Sequence, residues 1–86
     1  MSFLVEITRR AEKDLDGLDR TTERQVRERL KQLAQDPYAP HLSQQVKMGA
    51  GERKSRVRSW RIFFEVDEGK RKIVILSIKH RKGAYK

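Results

Sequence analysis

Apolar and polar positions along the 86-residue chain follow two different periods. Phe3, Val5 and Ile7 alternate with Leu4 and Glu6, a period of two that predicts a short strand with one apolar face. Thr8 stands where it can cap a helix. Ala11, Leu15 and Leu18 recur at spacings of four and three, which predicts a helix over 9–18 whose last turn Gly17 weakens. Thr22 followed three residues later by Gln25 fits a capping box. Val26, Leu30, Leu33 and Ala34 then mark a second helix that stops before Pro37, because a residue preceding proline is biased away from helix. Residues 37–51 form a connector of about 15 residues, long for a compact domain, with Leu42, Val46 and Met48 as anchors to the core. Period two then returns. Lys54, Arg56 and Arg58 share one parity; Arg53, Ser55 and Val57 share the other. After a turn near Ser59, Trp60, Ile62, Phe64 and Val66 lie on one parity and Arg61, Phe63 and Glu65 on the other. Asp67-Glu68-Gly69-Lys70 predicts a hairpin turn. Ile73 to Ile78 is apolar on both parities, which predicts a central strand covered on both faces.

The order strand, helix, helix, strand, strand, strand predicts one α+β domain over residues 1–86. An antiparallel sheet carries the two N-terminal helices on one face, since amphipathic helices need a sheet face to cover. Val57, Ile62, Phe64, Val66, Val74, Leu76 and Ile78 are expected on the covered face. The opposite face then carries Lys54, Arg56, Arg58, Arg61 and, with the last strand in unbroken register, Ser77, Lys79 and Arg81. A bulge would flip that register.

Hydrophobic content of 36% allows a modest core. The absence of cysteine excludes a disulfide framework and a thiolate metal site and fits a reducing cytoplasm. No stretch approaches the roughly 20 apolar residues of a membrane span, and the first residues lack a signal-peptide apolar region, so a cytoplasmic location without a membrane partner is expected. Charge sharpens the picture. The net charge is +9, and all of the excess lies in residues 43–86, which hold thirteen Lys/Arg and four Asp/Glu; residues 1–42 hold eight of each. Such asymmetry suggests that the second half builds a surface for nucleic acid or an acidic protein. A charged strand face also occurs where an antiparallel sheet simply meets water.

Several chemistries are absent. There is no phosphate-binding glycine loop and no dinucleotide fingerprint; His41 and His80 are too isolated to suggest zinc, and no Asp/Glu cluster marks a magnesium nuclease. Glu65, on the parity of Arg61, reads as an ion-pair partner. No metal and no cofactor are expected. What remains is a set of Lys, Arg, His and Tyr, and RNA is the polymer for which that can suffice. Its 2′-OH is an internal nucleophile. An enzyme has to hold it in line, help remove its proton, neutralise the phosphorane-like transition state and assist the departing 5′-oxygen. Arginine suits the third task because it grips phosphate oxygens with two parallel N–H donors. Clustered cations also make a lysine or a tyrosine a more usable base. DNA lacks the internal nucleophile and would be bound without being cut. Arg53, Arg58, Lys79, His80 and Lys82 are candidate RNA contacts, and Phe63, on the cationic parity, is a candidate base-stacking surface. Trp60, on the parity of Ile62 and Phe64, reads as core.

Over nearly its whole length the chain resembles the RelE/ParE superfamily of toxins from toxin–antitoxin pairs. The resemblance runs through Ala11-Glu12-Lys13-Asp14-Leu15, Leu30-Lys31-Gln32-Leu33, the segment Arg56-Val57-Arg58-Ser59-Trp60-Arg61-Ile62-Phe63-Phe64-Glu65-Val66, and Ile78-Lys79-His80-Arg81-Lys82-Gly83-Ala84-Tyr85. It implies a RelE-like microbial RNase fold and, in the RelE branch, metal-independent endonucleolytic cleavage of mRNA in the ribosomal A site, inhibiting translation. It implies catalytic roles for the arginines matching Arg61 and Arg81 and the tyrosine matching Tyr85. Lys54 and Arg56 fall where the family places catalytic lysines. Arg56 is a departure, because arginine holds its proton too firmly to act as a base, which leaves that role to Lys54 or Tyr85, with His80 as a further option. The resemblance also implies a small acidic, RelB-like antitoxin as partner. The ParE branch instead inhibits DNA gyrase without nuclease activity, and a non-catalytic nucleic-acid-binding domain is the third reading.

Overall fold

The computed structural model describes residues 2–46 and 51–81. Its elements follow the expected order with one addition: β1 (Leu4–Ile7), α1 (Arg9–Asp16), α2 (Arg20–Gln35), β2 (Gln44–Gln45), β3 (Glu52–Val57), β4 (Trp60–Asp67) and β5 (Lys72–His80). The α+β class holds, with both helices on one face of the sheet.

Local chemistry sets the helix ends. Thr8 caps α1 as expected, its Oγ1 accepting the Ala11 N–H at 3.2 Å. The same hydroxyl donates to the carbonyl of Ile75 at 2.7 Å, so one side chain both starts the helix and docks it on the sheet. Asp14, one turn from the end of α1, accepts the backbone N–H of Ile78 at 2.9 Å. The second helix starts earlier than the expected Thr22 cap. Asp19 is the N-cap; its carboxylate accepts both the N–H of Thr22 at 3.2 Å and the Thr22 hydroxyl. Those bonds to Thr22 hold the Asp19 carboxyl below its ordinary pKa. Thr22 is therefore the bonded third residue of the helix, buried and unavailable as a cap. An aspartate one turn upstream satisfies the same orphan donors and gains charge complementarity with the helix N-terminus.

The sheet has the order β1-β5-β4-β3-β2. Strands β2 to β5 are antiparallel, and β1 joins the edge parallel to β5. Parallel pairing requires a crossover between partners, which here contains both helices and the rest of the sheet. The two residues of β2 extend the sheet from within the connector, pairing Gln44 with Lys54 and Gln45 with Arg53. Leu42 packs partly against the core; Met48 lies outside the described residues. Asp67 closes the β4–β5 turn by accepting the Lys70 N–H at 3.1 Å, as the hairpin expectation required.

The core face corrects part of the sequence reading. Val57, Ile62, Phe64 and Ile78 are buried as expected, with Val66 packed against them, but β5 buries Ile73 and Ile75 in place of Val74 and Leu76. The cause is a bulge. Phe63 pairs with Ser77 while its neighbour Phe64 pairs with Ile75, so Leu76 is the extra residue and the parity of β5 changes there. The core of these residues closes beneath Ala11, Leu15, Val26, Leu30 and Leu33 from the helices.

Because Thr8 joins α1 to β5 through one hydroxyl, Thr8→Ala is expected to lower stability by about 1–2 kcal/mol. That is a fall in Tm of about 4–8 °C per kcal/mol for a domain of this size. Thr8→Ser should recover most of it. An unchanged thermal melt for Thr8→Ala would contradict the docking role.

Candidate nucleic-acid interface

The face of the sheet away from the helices is built by register. Arg56 of β3 stands opposite Arg61 of β4, and Arg61 stands opposite Lys79 of β5. Residues paired directly across antiparallel strands share a face, so three cations form a row across three strands. The adjoining row is Gln44, Lys54, Phe63 and Ser77. The bulge at Leu76 keeps Ser77 and Lys79 on this face even though Ile73 and Ile75 face the core.

Two hollows open beside these rows. The larger, about 220 Å³, lies between α2, the connector and β3 and is lined by Arg29, Pro40, His41, Leu42, Ser43, Gln44, Lys54, Arg56 and Arg61. The smaller, about 50 Å³, is lined by Arg56, Arg58, Ser59, Arg61 and Arg81. Arg56 and Arg61 belong to both and form the wall between them. Arg81 is drawn in by its backbone, whose N–H donates to the carbonyl of Ser59 at 2.7 Å. Among the described residues no acidic side chain lines either hollow.

The ion pairs underline that bias. Among the described residues they join Arg10 to Asp14, Arg27 to Glu23, Lys31 to Glu28, Arg71 to Glu68 and Lys72 to Glu6, all away from the two hollows. Lys72, held by the hydrogen bond to Glu6, has its pKa raised. Glu65 makes no ion pair with Arg61, contrary to expectation; it stands opposite Glu52 and Val74. Arg61 Nε is buried without a hydrogen-bond partner among the described residues. A buried donor left unmet is costly, of order 1–3 kcal/mol, and is relieved by an acceptor that arrives from outside.

The remaining candidates divide. Phe63 lies on the cationic face with the Lys79 ammonium 5.9 Å from its ring centroid. Arg58 sits in the two-residue turn between β3 and β4 with φ of 57°, in the left-handed region that favours glycine. Such a conformation costs about 1–2 kcal/mol in a residue with a Cβ. Arg53 is turned the other way. Its cross-strand neighbour Phe64 is fully buried, and its Nε donates to Ser43 Oγ at 2.7 Å while its guanidinium lies 5.1 Å from the Tyr38 ring centroid. Arg53 therefore ties the connector to β3 and is not on the cationic face. Tyr38 in turn donates to Glu68, and that bond raises its pKa. His80 pairs with Trp60 across β4–β5 and meets its ring edge-on at 4.9 Å, on the helix side, apart from Arg61 and Lys79. The strand parity of Arg53 and the pairing of His80 with Trp60 explain both departures. Lys82 and Tyr85 lie outside the described residues.

Arg29 was missed by sequence reading, where α2 shows an ordinary face of mixed charge. Its Nη1 donates to Ser55 Oγ at 2.8 Å and to the carbonyl of Arg56 at 2.7 Å, and its Nε to Gln32 Oε1 at 3.0 Å. The only signal in the sequence was a serine on the apolar parity of β3, which, once buried, needs a hydrogen-bond partner.

Among the described residues no group of three His, Cys, Asp or Glu side chains could hold a metal ion, and no helix is long and apolar enough to cross a membrane. A comparison with curated proteins gives no match. Solved structures share the fold. The toxin–antitoxin complex RelBE2 of Mycobacterium tuberculosis contains a chain with a TM-score of 0.84, 24% identical, covering 94% of this chain and 100% of that one. Free E. coli RelE, as a mutant, gives 0.81 at 18% identity over 99% and 90% of the two chains. The archaeal RelE–RelB complex of Pyrococcus horikoshii gives 0.80 at 24% over 94% and 97%. The family model for the ParE toxin of the type II toxin–antitoxin system parDE matches residues 5–85. A match over nearly the whole chain, on the fold of RelE, makes the protein a member of the ParE toxin family within the RelE/ParE superfamily.

Proposed function

We propose that this toxin is a metal-independent endoribonuclease that cleaves mRNA held in the ribosomal A site and so arrests translation. The observation that carries the reading is the wall of Arg56 and Arg61 shared by two hollows, one of which contains Lys54 and the other Arg81. In-line displacement at phosphorus needs its base and its leaving-group partner on opposite sides of the phosphate. A phosphate seated against the shared wall has Lys54 on one side and Arg81 on the other. Lys54, or Tyr85 from beyond the described residues, takes the proton of the 2′-OH. The 2′-oxygen bonds to phosphorus, and Arg56 and Arg61 neutralise the extra charge on its oxygens. The bond to the 5′-oxygen breaks, with the Arg81 guanidinium stabilising the departing oxygen, which takes its proton from solvent. The products are a 2′,3′-cyclic phosphate and a 5′-hydroxyl. Phe63 offers a neighbouring base an aromatic face, and Lys79 and Arg58 contact backbone phosphate. The inhibiting partner is an acidic antitoxin laid against the same cations, and both act in the cytoplasm. The structural relatives that are RelB–RelE complexes support that pairing.

A second reading has one observation in its favour: the matching family model is that of ParE. In that case the basic face binds DNA gyrase and no RNA is cut. Induction of the DNA-damage response without loss of message would select it.

Expression of Arg61→Ala and of Arg81→Ala in a bacterial host is expected to abolish growth arrest while circular dichroism shows the fold intact. Arg53→Met, on the helix side, should lower the melting temperature and keep the toxicity. Undiminished arrest in both alanine variants contradicts the site. With purified ribosomes and a translated message, cleavage is expected to survive EDTA and to leave a 2′,3′-cyclic phosphate; a 5′-phosphate product refutes the mechanism.

A further inference from the structure

We infer that the larger hollow is a second phosphate subsite, for the phosphate one nucleotide upstream of the cleaved bond, with Arg29 of α2 as its fixed cation. This deepens the nuclease reading and rests on its placement of Lys54 and Arg81.

Arg29 differs from the other basic residues of its helix. Arg27 and Lys31 pair with Glu23 and Glu28 on the outer surface. Arg29 reaches across to the sheet, where its Nη1 is held by Ser55 Oγ and the Arg56 carbonyl and its Nε by Gln32. Three hydrogen bonds hold the guanidinium plane, and among the described residues no carboxylate pairs with it. Nη2 makes no bond among the described residues. A pre-organised, charged and uncompensated donor on the wall of a hollow is suited to an anion, since little ordering entropy remains to be lost on binding. The same bonds fix the backbone of Arg56, so the subsite and the dividing wall are mechanically one unit.

Direction along the RNA follows from the contents of the two hollows. Lys54 lines only the larger and Arg81 only the smaller. The nucleotide whose 2′-OH attacks must lie on the Lys54 side. Its own 5′-phosphate then lies further into the same hollow, towards α2 and the connector, where Arg29, His41 and Gln44 line the wall. The leaving nucleotide lies beyond Arg81, outside the reach of Arg29.

The test uses the full chain and an oligoribonucleotide made uncleavable by a single 2′-deoxy substitution at the attacking position. Binding is read by fluorescence anisotropy against salt. Arg29→Met, which keeps the side-chain stem, is expected to reduce the slope of log affinity on log salt by about 0.7, the value for one lost contact to a single strand. Affinity should fall about tenfold. Arg29→Lys, which keeps the charge, should restore the slope, a rescue that a purely structural role would not produce. Replacing the upstream phosphate with a neutral methylphosphonate should weaken the wild type by the same factor and leave Arg29→Met unaffected. An unchanged slope in folded Arg29→Met overturns the subsite. So do losses that add independently, or a response only to the downstream methylphosphonate. Cleavage of a translated message on purified ribosomes by the wild type is measured alongside. Its absence counts against the nuclease reading, while the salt slope still tests whether Arg29 contacts phosphate.

Discussion

Like charges directly opposite one another on a sheet repel, and this toxin holds Arg56, Arg61 and Lys79 in that arrangement across three strands. The repulsion is on the order of 0.2–1 kcal/mol per pair. What overcomes it lies on the reverse of the same strands. Ile62, Phe64, Ile73 and Ile75 are fully buried beneath the helices. Each such side chain contributes roughly 1.5–3 kcal/mol on burial, so the apolar face outweighs the cationic one. The two faces are inseparable, because alternate residues of one strand supply both. Shifting the register to relieve the charges would expose the core.

The bulge at Leu76 reconciles these demands in β5. A strand of unbroken period two that buries Ile73 and Ile75 would also bury Ser77 and Lys79. One extra residue resets the parity, so that Ile78 returns to the core and Lys79 faces Arg61. Strain appears at the neighbouring turn, where Arg58 holds a conformation that glycine would take more easily. The arginine in that conformation lines the smaller hollow, while Arg71, in the β4–β5 turn, holds a similar one away from it. Strain of this kind gathers at functional sites when the surroundings over-determine it.

The helices are held to the sheet by polar bonds as well as by the core. Thr8 reaches the carbonyl of Ile75, Asp14 the N–H of Ile78, and Arg29 the hydroxyl of Ser55. Part-buried polar groups joined in this way specify one docking geometry where apolar packing alone tolerates several. All three anchors meet the strands that carry the cationic face. Its shape is therefore set from behind.

Much of this was legible along the chain. Helix periodicity, the Thr8 cap, the hairpin at Asp67-Glu68-Gly69-Lys70 and the parity of Lys54, Arg56 and Arg61 rest on contacts between near neighbours in sequence, and such contacts leave a periodic trace. The start of α2 at Asp19 went unread because two capping residues stood three apart and either could close the first turn. The parity of β5 belongs to the tertiary structure alone. A bulge is settled by the partner strand, and Ile73 to Ile78 is apolar on both parities, so nothing local marked where the extra residue would fall. The placement of Arg29 was hidden for a related reason. A charged residue on a helix is ordinarily solvated, and only the packing of α2 on β3 brings it to Ser55. The residues determined which cations share a face, since alternation is a property of one strand; packing between elements decided how those cations enclose two hollows, since that depends on groups far apart in the chain.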